Sequence, residues 1–203
     1  MGSLKVLLVN GSPHKSGCTH EMLAEVANAL RSDGVAADIH WIGNKPVAGC
    51  IDCGGCAKKG GCIVAGDVNA FREKAAGYDG FVFGTPVYYA AMNGRMKCFM
   101  DRLFFSDLWG GHGTFERKPA AAVVSARRAG CTNAYDELVK YFGHAQMPIV
   151  SSTYWNLAFG MEPEQTRGDA EGMFTMRTLG RNMAWLLKCI EAGRVAGIRP
   201  ASE

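Results

Sequence analysis

No stretch of the 203-residue sequence approaches the roughly 18 consecutive apolar residues of a membrane helix, so no membrane partner is expected. Basic residues occur in nothing longer than pairs such as Lys58-Lys59 and Arg127-Arg128, and the net charge is only +3. Nucleic acid is therefore not an expected partner either. Charged residues are sparse at 20% against 48% hydrophobic residues, which excludes a disordered chain. Eight cysteines are too few for a disulfide scaffold of this length. Met1 to Lys5 carry no apolar signal core, so the expectation is a cytoplasmic protein with reduced thiols. Glycine, in contrast, is plentiful at 26 residues, and tight turns with close backbone approaches follow from it.

Periodicity places the elements. Leu4–Val9 is an apolar run ending in Asn10-Gly11-Ser12-Pro13, a buried strand entering a turn. Residues 19–31 take helical spacing, residues 36–42 alternate as a second strand, and residues 67–76 suit a short helix. Phe81-Val82-Phe83 is a third strand, ended by Gly84-Thr85-Pro86, and Met96 to Phe104 has helical spacing. Ser106–Pro119 reads as a glycine-rich loop, 120–124 as a strand, 133–144 as a helix, and 147–150 as a fifth strand. Residues 151–168 look irregular before a last helix over about 169–192, with Ile190 among its core-facing residues. Cys98 and Cys189, in apolar helical stretches, are expected in the core. Strands alternating with helices predict an α/β fold: a flavodoxin-like three-layer sandwich with a five-stranded parallel sheet of order 2-1-3-4-5. The whole chain, 1–203, is expected to be one such domain with a Cys-rich insertion at about 44–66. In such sheets ligands sit at the carboxyl ends of the strands, so the loops 10–19, 85–93 and 125–133 are the candidate site.

The first loop joins a strand to a helix N-terminus, where unpaired N–H groups and the helix dipole favour an anion. Ser12, His14, Ser16, Gly17, Cys18 and Thr19 supply hydroxyls, backbone N–H groups and a partial charge. The loop lacks the Gly-Lys-Ser/Thr of a nucleotide-triphosphate loop and the Gly-x-Gly-x-x-Gly dinucleotide fingerprint. Nor does an arginine stand six residues after Cys18, as a cysteine phosphatase requires; Ala24 is there. A terminal monophosphate such as that of FMN suits what remains; the plain alternative is a capped helix. Thr85, Pro86, Val87, Tyr88, Tyr89 and Asn93 form a stiff aromatic loop suited to covering a flat ring, or else the core edge. Ser125, Ala126, Arg127, Arg128 and Gly130 offer backbone donors and guanidinium groups, which near a flavin would favour its reduced anion; otherwise the arginines are solvated loop charges. The flavin itself would carry the hydride chemistry, so no side chain is assigned as catalytic.

Together, Asn-Gly-Ser-Pro-His-x-x-Gly-Cys-Thr (10–19), Gly-Thr-Pro-Val-Tyr-Tyr-Ala (84–90) and Ser-Ala-Arg-Arg-Ala-Gly (125–130) resemble the flavodoxin-family NAD(P)H-dependent FMN reductases, and among them the iron–sulfur flavoproteins. Gln146-Met147-Pro148, Ser151 to Asn156 and Met176 to Glu191 extend the likeness to the tail. The resemblance implies one FMN per subunit, reduction by NADH or NADPH, and delivery to a flavin, quinone or protein acceptor. It also implies a homodimer or homotetramer. Where the wider family commonly has arginine in the first loop, His14 stands here. Electron carriage without NAD(P)H turnover, and redox or metal sensing, are the competing functions; the small positive net charge disfavours the former, since flavodoxins tend to be strongly acidic.

Cys50-x2-Cys53-x2-Cys56-x5-Cys62 packs four thiols between glycines, close to the C-x2-C-x2-C run of ferredoxins. The resemblance supports a [4Fe–4S] centre on these four residues. Zinc, usually held by two separated cysteine pairs, and a loop without metal are the alternatives.

Overall fold

The computed structural model describes residues 3–200, so Met1 and Gly2 of the N-terminal stretch considered above lie outside the described residues. In chain order the elements are β1 (Lys5–Asn10), α1 (Cys18–Ser32), β2 (Ala36–Trp41), α2 (Gly55–Lys59), α3 (Val68–Ala75), β3 (Gly80–Tyr88) and β4 (Ala91–Met92). There follow α4 (Gly94–Trp109), β5 (Ala120–Ala126), α5 (Cys131–His144), β6 (Leu157–Phe159), α6 (Pro163–Gly168) and α7 (Ala170–Val195).

The parallel strands lie in the order β2-β1-β3-β5-β6, which is the expected 2-1-3-4-5 once the two-residue β4, antiparallel to the end of β3, is set aside as a sixth strand. Alternation along each strand divides the core. Leu7, Val9, Phe81 and Phe83 face α3, α4 and α5, while Val6, Leu8 and Val82 face α1 and α7. Bulk on β3 is matched by smallness on β5. Phe81 and Phe83 stand beside Ala120 and Ala122, and the space over those alanines takes Phe115 and Phe142, at ring distances of 5.0 and 5.4 Å from Phe81 and Phe83. Volume complementarity of this kind keeps an interior at solid density. Among the described residues, no helix is long and apolar enough to cross a membrane.

Five expectations are corrected. The third strand does not stop at Pro86 but runs to Tyr88. β1 pairs no further than Gly84, so beyond it β3 has lost a neighbour on that side and a proline is tolerated. The fifth strand is split. Residues 148–150 touch only the start of β5, where Ala120 N donates to Pro148 O and Val150 N to Ala120 O. Pro148 and the left-handed backbone of Gln146 (φ 57°) prevent a longer ladder, and the chain loops out before rejoining β5 as β6. Helix α4 continues through Ser106 to Trp109, and the stretch 151–168 contains β6 and α6 besides irregular chain. Finally, Cys189 and Ile190 are exposed and Cys98 is half-buried. The 26 residues of α7 extend about 39 Å, roughly twice the length of a six-residue strand, so its last turns overhang the sheet.

His40, on edge strand β2, packs its ring 5.0 Å from that of Phe71. Burial, with Lys74 adding to it and Asp67 opposing, holds its pKa below the usual 6.5. The unfolded chain therefore takes the proton more readily than the folded one. Stability from this site is complete above about pH 6.5 and is lost as pH falls below it. Melting temperature should consequently drop further between about pH 7.5 and pH 5.5 in the native protein than in His40→Gln, measured by differential scanning calorimetry. Equal slopes would refute this assignment.

Candidate functional site

The first loop folds inward on Asn10, a fully buried side chain at the end of β1. Its amide Nδ2 donates to the carbonyls of His14 and Lys15, at 3.4 and 3.2 Å, and its Oδ1 accepts from Ser12 N at 3.0 Å. Ser12 Oγ in turn accepts from His14 N, and Trp41 Nε1 donates to Ser12 O. Gly11 N donates to Gly84 O at 2.9 Å, and a Cβ at Gly11 would sit 2.6 Å from Met96 Sδ, so the turn is pressed flat against β3 and α4. The N–H groups of Gly11, Ser12 and His14 are thus engaged, while the donors that follow are not. Among the described residues, the N–H groups of Lys15, Ser16, Gly17, Cys18 and Thr19 have no recorded partner. Gly17 caps α1 in an extended conformation without a side-chain cap. Five consecutive donors at the positive end of a 15-residue helix make a cradle whose chemistry suits an anion.

Thr19 and Ser125, both buried, share one hydrogen bond of 2.8 Å between their hydroxyls, which joins the first loop to the third. Two hydroxyls carry two protons and this bond uses one, so the pair retains a donor at the cradle floor. Thr85 Oγ1 accepts from Asn93 N at 3.1 Å and pins the second loop at its base. Asn93 caps α4 by accepting from Arg95 N.

Beyond Thr85 the chain is not an irregular loop but a hairpin whose two-residue turn is Tyr89-Ala90. Both have positive φ, 49° and 60°, as a type I′ turn demands. Asn-Gly is the easy sequence for such a turn; an ordinary side chain there costs about 1–2 kcal/mol. Asn133 Nδ2 holds the turn by donating to Ala90 O at 2.7 Å, and Glu137 accepts from Met92 N at 2.6 Å. Tyr88 is half-exposed and the Tyr89 ring stands wholly in solvent. Gly130, with φ 85°, begins α5 directly against the hairpin: a Cβ there would lie 2.5 Å from Ala90 Cα.

The structure therefore brings Ser12, Thr19, Thr85 and Ser125 to one edge, with Val87 and Gly130 in contact above them. Pro86 is half-buried beside Val87, and Ala126 is buried at the end of β5. His14 and Ser16 are exposed on the cradle rim, with Gly17 and Cys18 half-buried, and Cys18 reaches away toward Gly160 O. Arg127 and Arg128 are exposed and make no side-chain hydrogen bond among the described residues. Two residues without an assigned role matter here. Asn10 organises the cradle. Arg95 bridges to the loop after β2 by donating from Nε to Lys45 O and from Nη2 to Gly43 O, and its Nη1 is buried without a partner. Asn10 was visible as a turn residue; nothing in the sequence marked Arg95.

The four cysteines lie elsewhere, along α4. Cys50, Cys53, Cys56 and Cys62 line one small cleft together with Arg102 and Phe105. Cys56 is buried, Cys62 half-buried, and Cys50 and Cys53 are exposed. The five-residue α2 turns Cys56 inward while Asp52 (φ 50°) and Gly54 (φ 63°) bend the chain on either side of Cys53. Among the described residues, no three His, Cys, Asp or Glu side chains converge at ligating distance, so the expected ligand set shares a cleft without closing on a point. The electrostatics suit an anionic sulfur centre. Arg102 is only 2% exposed, and none of the ion pairs of the described residues includes it. Its Nε donates to Cys62 Sγ at 3.3 Å, and its other nitrogens donate to the carbonyls of Ala48, Val64 and Ala65. A buried guanidinium without a carboxylate is costly unless anionic groups share its cleft. In number, type and charge environment the donor set fits a thiolate-held cluster.

Comparison with known proteins bears on these arrangements. The family model described as NADPH-dependent FMN reductase matches residues 4–162. An iron–sulfur flavoprotein of Methanocaldococcus jannaschii is 26% identical over 200 residues, spanning 93% of this chain and all of the relative. An iron–sulfur flavoprotein of Archaeoglobus fulgidus is 30% identical over 149 residues, 72% of each chain. Among solved structures, a flavodoxin, WrbA-like protein from Agrobacterium tumefaciens superposes with a TM-score of 0.61 at 22% identity, over 93% of this chain and 99% of that one, which establishes the flavodoxin-like fold.

Proposed function

The chain belongs to the NADPH-dependent FMN reductase family, as an iron–sulfur flavoprotein-like member, and on that premise we propose that it binds FMN and oxidises NAD(P)H. It is a flavoprotein oxidoreductase; the identity of the cofactor, the reductant and the acceptor is the proposal. The observation that carries it is the row of unpartnered N–H groups over residues 15–19, closed by the Thr19–Ser125 pair.

The phosphate of FMN would take the donors of residues 15–19, with the spare hydroxyl proton of Thr19 and Ser125 and with Ser12, His14 and Ser16 on the rim. The hairpin from Thr85 to Asn93 would hold one side of the ring, with Pro86 and Val87 at its base and Tyr88 and Tyr89 as its aromatic cover. Ser125, Ala126 and Gly130 would supply the facing wall, and Arg127 and Arg128 would place positive charge near the ring edge. Bound there, FMN would supply a hydride acceptor for a nicotinamide and a store of electrons for an acceptor. The protein's own task is to orient that ring and keep one face open. No side chain need move a proton for the hydride to transfer. A [4Fe–4S] centre on Cys50, Cys53, Cys56 and Cys62 would add one-electron transfer, and the subunits would associate as a homodimer or homotetramer.

The test is a spectrum of anaerobically purified protein with FMN and iron assayed on one sample, followed by NADH and NADPH oxidation with a quinone or free flavin. Bound FMN with steady NAD(P)H consumption supports the proposal. Bound FMN without turnover would leave an electron carrier, and absence of FMN binding would defeat it.

His14 adds a narrower expectation. His14 is exposed on the cradle rim, where an arginine would add a permanent charge and a planar pair of donors for phosphate. His14→Arg should therefore bind FMN more tightly than the native protein. Fluorescence titration of FMN reads the difference, and equal affinities in the two proteins would sink the idea.

A further inference from the structure

Helices α4 and α5 start at the flavin loops and run to the opposite end of the sheet. Between their last turns lies a pocket of about 690 Å³, large enough for a small molecule. At 1.5 Å of rise per residue it lies about 15–20 Å from Asn93 and Gly130, where the two helices begin. It is separate from the cofactor cradle. Its nearest neighbour is the cysteine cleft, because Cys50 and Phe105 line both.

Three properties define what fits. The walls are aromatic: Phe105 and Trp109 of α4 are paired at 5.9 Å, and Phe104 packs against Tyr141 of α5 at 5.5 Å. Such walls suit a flat ring. The α4 side and rim are acidic, with Asp52, Asp101, Asp107 and Glu116 lining the space. Asp101 is bound by Lys97 at 2.5 Å and accepts from Tyr141, and Asp107 accepts from Thr114 N, but Asp52 and Glu116 are exposed and in no ion pair among the described residues. An anion such as a nucleotide is repelled from a site of this sign. Hydrogen-bond donors come from α5 and the turn after it, where Lys140, His144 and Gln146 line the pocket. Donors on one side invite a carbonyl on the ligand.

We propose that this pocket binds an uncharged planar aromatic carbonyl compound of the quinone class. The proposal rests on the oxidoreductase reading for its class of ligand, and gives the acceptor a seat beside the cysteine loop and away from the flavin. The ring lies between the Phe105–Trp109 pair and Tyr141. One carbonyl accepts from the α5 donors, and the acidic rim rejects anionic analogues.

Binding, not turnover, tests it. The holoprotein is titrated with 2,3-dimethyl-1,4-naphthoquinone, which has no free quinone ring position for addition of Cys50, and quenching of tryptophan fluorescence is followed. The anionic 9,10-anthraquinone-2-sulfonate serves as the contrast. The neutral quinone should bind at least about tenfold more tightly than the sulfonate, and Ala145→Trp, which fills the pocket, should weaken it about tenfold, a change of about 1.4 kcal/mol. Leu108→Trp, from the opposite wall, should do the same if the first variant folds poorly. FMN content, measured on every sample, should stay unchanged, which separates failure of the pocket from failure of the flavin proposal. Equal binding of the two quinones would overturn the proposal, as would binding insensitive to both substitutions. It would also be overturned if neither quinone bound; a native dimer that Ala145→Trp dissociates would then show the pocket to be filled by a second copy.

Discussion

Replacing Arg102 with methionine should release the cysteine loop. The guanidinium ties Ala48, at the entry of that loop, to Val64 and Ala65 at its exit, and touches Cys62 between them. Methionine fills similar space but leaves three carbonyls and a sulfur without a donor. Each buried acceptor left without its donor costs about 1–3 kcal/mol, so about 3–5 kcal/mol is expected for the group at the low end of that range. For a chain of this length that corresponds to a melting point lower by about 10 °C. The loss should be local in its chemistry. In native protein Cys56 is buried and Cys62 half-buried. In Arg102→Met both should react with iodoacetamide under native conditions, and iron bound after anaerobic purification should fall. Arg102→Lys keeps the charge without the planar fork that spans both ends of the loop, so it should recover part of the melting temperature and less of the thiol protection. Native-like melting and labelling in Arg102→Met would show that the loop is held by something else.

The second large effect is expected at Gly130. Alanine there must adopt φ 85° and place its Cβ 2.5 Å from Ala90 Cα and 2.9 Å from Ala90 Cβ. The left-handed backbone costs about 1–2 kcal/mol and the overlap a further 1–3 kcal/mol. The hairpin and the third loop must part to relieve it, which opens the two walls assigned to the flavin ring. FMN should bind at least about tenfold more weakly in Gly130→Ala, about 1.4 kcal/mol, with iron content unchanged. Ala90→Gly supplies the control. It removes the Cβ contact at 2.9 Å and eases the positive φ of 60° at that position, while the 2.5 Å contact with the Cα stays. The double variant should regain part of both stability and affinity, and the coupling is read from a double-mutant cycle. Simple additivity of the two substitutions would mean that the hairpin and the third loop do not depend on this contact.

These two residues also show where sequence reading reaches its limit. The β1–loop–α1 unit was legible because an apolar run, a Gly-Ser-Pro turn and a 3.6-residue repeat follow one another without interruption. Sheet order was legible from alternation of strands and helices. Gly130 was identifiable as a member of the third loop, but its neighbour Ala90 is 40 positions away and the contact is purely spatial. Arg102 lies in an amphipathic helix, where an arginine ordinarily faces water; it is buried only because a remote loop folds over it. The fifth strand was placed at its first contact with β5 and missed at its second, because Pro148 and the left-handed Gln146 interrupt a pattern too short to show a period. The capping box of Glu162 and Gln165, with Pro163 between them, is a local signal for α6 that the irregular reading of 151–168 omits.

The hydroxyl pair at the cradle floor has a consequence in time. Thr19 and Ser125 are separated by 106 residues. A ribosome adding about 5–20 residues per second needs roughly 5–20 s to travel from one to the other. During that interval β2 and β3, the two neighbours of β1, are synthesised, yet the turn after β1 still lacks its far wall. If the cradle holds the phosphate proposed for it, loading would follow synthesis of β5, and the order of translation would set when that site is first complete.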